Sequence, residues 1–228
     1  MLAAHQPQFA PWLGFFDKLD RADVFVLLDN VQFKKNEWQN RNRIKGASGP
    51  QWLTVPVSGR FGQEIRELDV AARENWQGRH LKTLRTCYGR APHFAETLCV
   101  YERFAHRPWQ KLADLNVQLL RELVAQLNLK TEIFLASELG LLPHQRDERL
   151  IELCRRYGSK TYLAGAGGRT YMDLERYRAA GVEVVFQDYQ HPVYPQLFGE
   201  FTANLSVLDL LFNCGPDSLE IIRGGRAA

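Results

Sequence analysis

The chain holds only four cysteines, Cys87, Cys99, Cys154 and Cys214, and none of them stands in a C-x-x-C pair. Thiols this scattered exclude a zinc site of the usual spacing and, at this chain length, a disulfide framework, so buried free thiols are expected. Charge of one sign is also missing, because 29 Lys and Arg face 26 Asp and Glu, a net of +3. So small a surplus makes no global case for nucleic-acid or membrane binding, and any such case must rest on local clustering. Long apolar runs are absent too. Val24 to Leu28 is among the longest, whereas a bilayer span needs about 20 residues. Residues 1–10 carry neither the basic nor the apolar stretch of a secretion signal, and a cytoplasmic protein is expected.

What is present is an ordinary globular composition over 228 residues, 45% hydrophobic and 11% aromatic. It suits one α/β domain over 1–228, with a helical insertion or covering layer over about 75–130. Leu2 to Ala4 reads as a strand that breaks at Pro7 and Pro11, after which Trp12, Phe15, Phe16 and Leu19 recur at helical spacing. Val24 to Leu28 reads as a strand buried on both faces. Residues 30–50 show no apolar periodicity and read as a long functional loop, with or without a short helix. Trp52 to Val57 reads as a strand.

Three helices are predicted next: from the cap Asn75 to Gly89, through Phe94 to Phe104, and from Pro108 to Leu127. Strands at Glu132–Ala136, Thr161–Ala164 and Val182–Phe186 then alternate with helices at Arg149–Tyr157 and Leu174–Ala180. A last helix covers Ser206 to Asn213. The alternation predicts a mostly parallel sheet flanked by helices, of Rossmann-like topology.

Polar residues gather after the predicted strands, where parallel sheets bind ligands. His5 and Gln6 follow the first strand and supply a general base and an amide donor. Asp29 to Lys45 follows the second, with Lys34, Lys35, Arg41, Arg43 and Lys45 around Trp38 and the amides Asn36, Gln39, Asn40 and Asn42. Guanidinium forks suit phosphate and an indole suits a sugar or base, so this stretch is a candidate anion-binding loop. Gly165, Gly167 and Gly168 form a Gly-rich turn after a strand, leading to Tyr171. Gln187, Asp188, Tyr189 and His191 follow the last strand, and His191 could pair with Asp188 or Asp209 as an oriented base. Cys214 reads as a buried thiol at a helix end, with a nucleophilic role as the alternative. Asp17, Asp29, Asp188 and Asp209 form no metal motif, although they could hold Mg²⁺ through phosphates.

The segments HQPQFAPWLGFFDKLDRADVFVLLDNVQFKKNEWQNRNRIK, QWLTVPV, YLAGAGGRTYMD and VVFQDYQHPVYPQLFGEF, with NLSVLDLLFNCGP, closely resemble the WbqC-like family over nearly the whole chain. The resemblance implies a place in bacterial O-antigen or related surface-polysaccharide biosynthesis, with glycyl transfer onto an amino sugar as an implied activity. The opening strand, His loop and helix are also similar to HUP-type nucleotide-binding domains. The second His of their HxGH signature is missing, since Trp12, Leu13 and Gly14 stand there, so that likeness is one of topology.

The leading expectation is therefore a transferase moving an aminoacyl or other acyl group onto an amino sugar. His5 or His191 would be the base, Gln6, Asn40 and the Gly165–Gly168 amides the oxyanion donors, and Arg41, Arg43 and Lys45 the phosphate clamps. Lys35, Trp38, Gln39, Asn42, Tyr171, Gln187 and Tyr189 complete the expected binding set. The expected partner is an anionic small molecule, a nucleotide sugar or an activated acyl donor, with tRNA as one conceivable aminoacyl carrier. The cofactor is open between ATP with Mg²⁺ and an aminoacyl donor. An ATP-dependent adenylating enzyme and a non-catalytic sugar-nucleotide-binding subunit are the alternatives.

Overall fold

The apolar start of the chain becomes β1 (Leu2–His5), the middle strand of a five-stranded parallel sheet, in a computed structural model that describes residues 1–60, 62–71 and 75–226. After β1 come α1 (Leu13–Arg21), β2 (Val24–Leu27), β3 (Arg41–Gly46), β4 (Gly49–Thr54), β5 (Val57–Ser58) and β6 (Asp69–Val70). The helical middle is α2 (Trp76–Tyr88), α3 (Phe94–Ala105) and α4 (Leu112–Gln126). Then follow β7 (Glu132–Leu135), α5 (Arg146–Arg156), β8 (Thr161–Ala164), α6 (Leu174–Ala179), β9 (Glu183–Phe186), α7 (Val207–Cys214) and α8 (Ser218–Arg223).

The sheet runs β7-β2-β1-β8-β9. The chain therefore builds outward from β1 to one side, crosses back, and completes the other side, which is the Rossmann-like arrangement expected. Each central strand alternates between two cores. Ala3, Phe25, Leu27 and Leu163 face a large cluster with α1, α4 and α7, while Leu2, Ala4, Val26, Tyr162 and Ala164 face a smaller one with α5 and α6. Burial on both faces is why these strands read as continuous apolar runs. Buried residues of the middle helices, such as Trp76, Leu98 and Leu115, belong to the same large cluster.

The 30–50 segment corrects the sequence reading. Residues 41–54 form an antiparallel hairpin in which Arg41 faces Thr54, Arg43 faces Trp52, and Gly46 faces Gly49. The strand signal was a period of two: Asn42 and Ile44 are buried while Arg41 and Arg43 are half-buried, so polar residues occupy both faces and hide the alternation. Gly49 turns the hairpin at φ +105°, a conformation that favours glycine. The third middle helix starts at Leu112, four residues beyond Pro108, because Gln110 and Lys111 run extended against β6, where Val70 N–H donates to the Gln110 carbonyl at 2.8 Å and Leu112 N–H to the Leu68 carbonyl at 3.0 Å.

Candidate active site at the centre of the sheet

β1 pairs with β2 through His5 but with β8 only through Leu2 and Ala3. The two halves of the sheet part at this point, and such topological switch points are where α/β sheets hold ligands. Lys18 fills the gap from α1. Its Nζ donates to the Ala4 carbonyl at 2.9 Å and lies 5.9 Å from the Tyr162 ring centre. Lys18 is 4% exposed and makes no ion pair among the described residues. Burial lowers its pKa to about 7.

Half-buried His5 stands beside it and packs edge-on against Phe15 at 5.0 Å. Burial, and then the Lys18 ammonium, push the imidazole down to about 4. Nδ1 lies 2.9 Å from the Gln6 carbonyl. A carbonyl can only accept, so Nδ1 carries the proton and Nε2 presents a lone pair. His5 is thus a neutral base in a fixed tautomer.

Sequence reasoning missed Lys18. The available signal was a lysine within a helix turn crowded by Phe15, Phe16 and Leu19, which leaves no polar face to carry it. Its effect is measurable. The folded pKa of about 7 lies below the ordinary 10.5, so in that window the unfolded chain binds more protons and stability rises with pH. Wild type is expected to gain stability relative to Lys18→Met between about pH 7.5 and 9.5, by up to about 1.4 kcal/mol per pH unit, in urea titrations. A difference that stays flat with pH would refute the buried ammonium.

Gln39 Nε2 donates to Gln6 Oε1 at 2.8 Å, and Asn116 Nδ2 holds the Gln39 carbonyl at 2.7 Å. These bonds fix the Gln6 amide next to His5. The other amides of the basic stretch serve the fold. Buried Asn40 donates to the Val55 carbonyl at 2.9 Å, and buried Asn42 to the Ala10 carbonyl at 2.7 Å. Lys45 is buried as well, with Nζ on Gln196 Oε1 at 3.1 Å and on the Glu200 carbonyl. Lys35 and Trp38 are exposed, and Arg41 and Arg43 are half-buried on the outer face of the hairpin.

The Gly-rich turn follows β8 at the same sheet edge. A Cβ on Gly165 or Gly167 would meet nothing within 4 Å, so packing does not demand a glycine at either position. On Gly168 it would come 2.8 Å from Met172 Sδ, which explains a glycine there. Tyr171 is exposed under the Arg146 guanidinium, 3.7 Å from the ring centre, and no contact ties it to His5.

The β9 end is a separate group. Gln187 is buried and donates to the Gly14 carbonyl at 2.8 Å and to Asp17 Oδ2 at 2.7 Å, while Asp17 also accepts from Arg226 Nε at 2.7 Å. Trp12 meets Tyr189 edge-on at 5.7 Å and stacks on His191 at 6.5 Å. His191 Nδ1 lies 2.9 Å from the Pro192 carbonyl, and its Nε2 and the Tyr189 hydroxyl are buried with no partner among the described residues. The proposed pairing of His191 with Asp188 or Asp209 does not form: Asp209 is taken by Tyr88, Tyr194 and Gln196. Asp29 likewise caps Ser137, accepting from its backbone N–H at 2.9 Å and from its hydroxyl at 2.5 Å. Burial raises the Cys214 thiol to about 11, which leaves it a poor nucleophile.

Two surface hollows, about 370 Å³ beside Leu174 and Val182 and about 500 Å³ beside Asn128 and Lys130, lie at the starts of β9 and β7. Neither joins a histidine to an amide and a lysine, as the switch point does. No helix among the described residues is long and apolar enough to cross a membrane.

A family model described as "WbqC-like protein family" matches residues 6–221. The chain is 34% identical to "Uncharacterized protein Rv1507c" of Mycobacterium tuberculosis (strain ATCC 25618 / H37Rv) over 226 residues, 97% of either chain. No solved structure matches at a significant level.

Proposed function

The chain belongs to the WbqC-like protein family, whose membership suggests a role in polysaccharide biosynthesis, and from that premise we propose a transferase that moves an aminoacyl or other acyl group onto the amino group of an activated sugar. The observation that carries the reading is the neutral His5 imidazole at the end of β1, its Nδ1 held on the Gln6 carbonyl and its Nε2 left with a lone pair. In acyl transfer the sugar amine attacks the acyl carbon and forms a new C–N bond. The bond from that carbon to its carrier then breaks. His5 Nε2 takes the proton of the attacking amine and returns it to the departing carrier. The Gln6 amide, held by Gln39, offers N–H donors to the oxygen that becomes negative. Gly165 and Gly167, in the turn directly after β8, are the candidates for further backbone donors. The Lys18 ammonium adds positive potential close by.

The test is to incubate the purified protein with nucleotide-linked amino sugars and with acyl and aminoacyl thioesters, reading products by mass spectrometry. The expected result is an N-acylated sugar whose formation depends on His5. Absence of such a product with every acceptor bearing a free amine would overturn the reading.

The sheet order and the open glycine turn also favour a second reading, an ATP-dependent adenylating enzyme. Calorimetry with ATP and Mg²⁺ separates the two. Binding, together with release of pyrophosphate once a carboxylate acceptor is added, favours adenylation, and no binding at millimolar nucleotide excludes it.

A further inference from the structure

The outer face of the β3–β4 hairpin, with the adjoining Trp38, carries two exposed indoles beside two half-buried guanidinium groups. Trp38 is 37% exposed and Trp52 is 45% exposed, and their rings pack against each other with centres 5.5 Å apart. The Arg41 guanidinium lies 4.3 Å from the Trp52 ring centre, and that of Arg43 lies 5.9 Å from both rings. Register puts them together: Arg43 is directly opposite Trp52, and Arg41 is two residues along the same face. Neither arginine has an ion-pair partner among the described residues, and the Nε of each is buried without an acceptor. Arg41 Nη2 donates to the Asn36 carbonyl, which steers the guanidinium over the indole and leaves its charge unmatched.

We propose that this face is the subsite for the nucleoside diphosphate of the activated sugar, with the base against the Trp38–Trp52 pair and the diphosphate on Arg41 and Arg43. The inference rests on the reading of the chain as a transferase acting on an activated sugar. A bare phosphate would explain the guanidinium groups but leave two indoles in water for no gain. A neutral sugar would explain the indoles but not two unmatched cations. A nucleoside diphosphate uses both, through ring stacking and charge-assisted forks. Single-stranded RNA has the same chemistry, but it stacks successive bases on successive rings. Here the two rings are spent on each other and make one platform.

Hydrogen bonds also tie the segment before the hairpin to the segment after β1. The Trp38 carbonyl accepts from Phe9 N–H at 3.0 Å, and the neighbouring Gln39 holds Gln6 beside His5.

The test is calorimetry and tryptophan fluorescence of the full chain with UDP, GDP, CDP and dTDP, and with inorganic pyrophosphate and a uridine decanucleotide as controls. At least one nucleoside diphosphate is expected to bind and quench. Trp52→Ala is expected to weaken that binding about tenfold, and Trp52→Phe to restore most of it. Pyrophosphate is expected to bind more weakly than the nucleotide. Because Trp52 is exposed, both variants should keep the wild-type circular dichroism. The proposal is overturned if no nucleoside diphosphate binds at millimolar concentration, if Trp52→Ala binds as wild type does, if pyrophosphate binds equally well, or if the decanucleotide binds most tightly.

His5→Ala keeps this outcome apart from that of the transferase reading, since it should bind the nucleotide within about twofold of wild type. Nucleotide binding without acyl transfer would remove the transferase and leave the subsite standing.

Discussion

His5→Ala is expected to lower turnover by about 10²- to 10⁴-fold, the span over which a positioned general base contributes. The loss should fall on kcat, because the residue contributes to proton transfer and little to holding substrate. The thermal midpoint should barely move. His5 is half-buried at a strand end, and its ring is hydrogen-bonded to the neighbouring Gln6 carbonyl. His5→Gln serves as the second variant, with an amide N–H available for that carbonyl and no base. If either variant folds and keeps its rate, the assignment fails.

The pH dependence has a definite sign. With a folded pKa of about 4, the imidazole stays neutral until well below neutrality, so the acid limb of kcat/KM should fall near pH 4. The ordinary value of 6.5 would place it higher. Stability follows by linkage. Between 6.5 and about 4 the unfolded chain binds the extra proton, so the His5 contribution is lost as pH falls through that window. His5→Ala should therefore resist mild acid slightly better than wild type.

The second large effect is structural. Asp209→Ala is expected to cost about 3–5 kcal/mol in urea denaturation, with the slope m unchanged. Asp209 is fully buried on α7 and accepts from the Tyr88 hydroxyl at 2.6 Å, the Tyr194 hydroxyl at 2.9 Å and Gln196 Nε2 at 2.8 Å. Tyr88 in turn accepts from the Lys45 backbone N–H at 3.0 Å. One carboxylate thus ties α7 to α2, to the hairpin and to the segment around Gln196. Removing it breaks three hydrogen bonds at once, whereas Tyr88→Phe breaks two, to Asp209 and from the Lys45 N–H, and should cost only about 1–2 kcal/mol. An Asp209→Ala cost below that of Tyr88→Phe would show that the carboxylate does not organise this region. The same network explains why Lys45, expected at a phosphate, is withdrawn into the protein: its ammonium is fixed on Gln196 and Glu200.

Much of the scaffold was legible because its signals are local. Continuous apolar runs such as Val24–Leu27 mark strands covered on both faces, and the three-and-four spacing of Leu112 to Leu123 marks an amphipathic helix. The strand read at Trp52–Val57 overlaps β4 at 52–54, but its partner at 41–46 escaped because its outer face is cationic and its inner face includes Asn42, so the period of two carries no apolar contrast. At the site, His5 and Gln6 were legible from their place after the first strand. The roles of Asn40, Asn42 and Gln187 were not, because an amide looks the same in sequence whether its acceptor is a ligand or a backbone carbonyl.

The sequence alone determined the alternation of strands and helices, the family, the scarcity of thiols and the concentration of cations around Trp38. These depend on residue type and short spacing. Tertiary structure decided which of those residues can meet a ligand. It split β1 from β8 beyond Ala3 and drew Lys18 into the gap. It lowered His5 by burial and turned Arg41 and Arg43 outward beside Trp52 while burying Lys45 two positions on. Each of these outcomes depends on what covers a side chain, and the covering atoms come from segments far away in the chain.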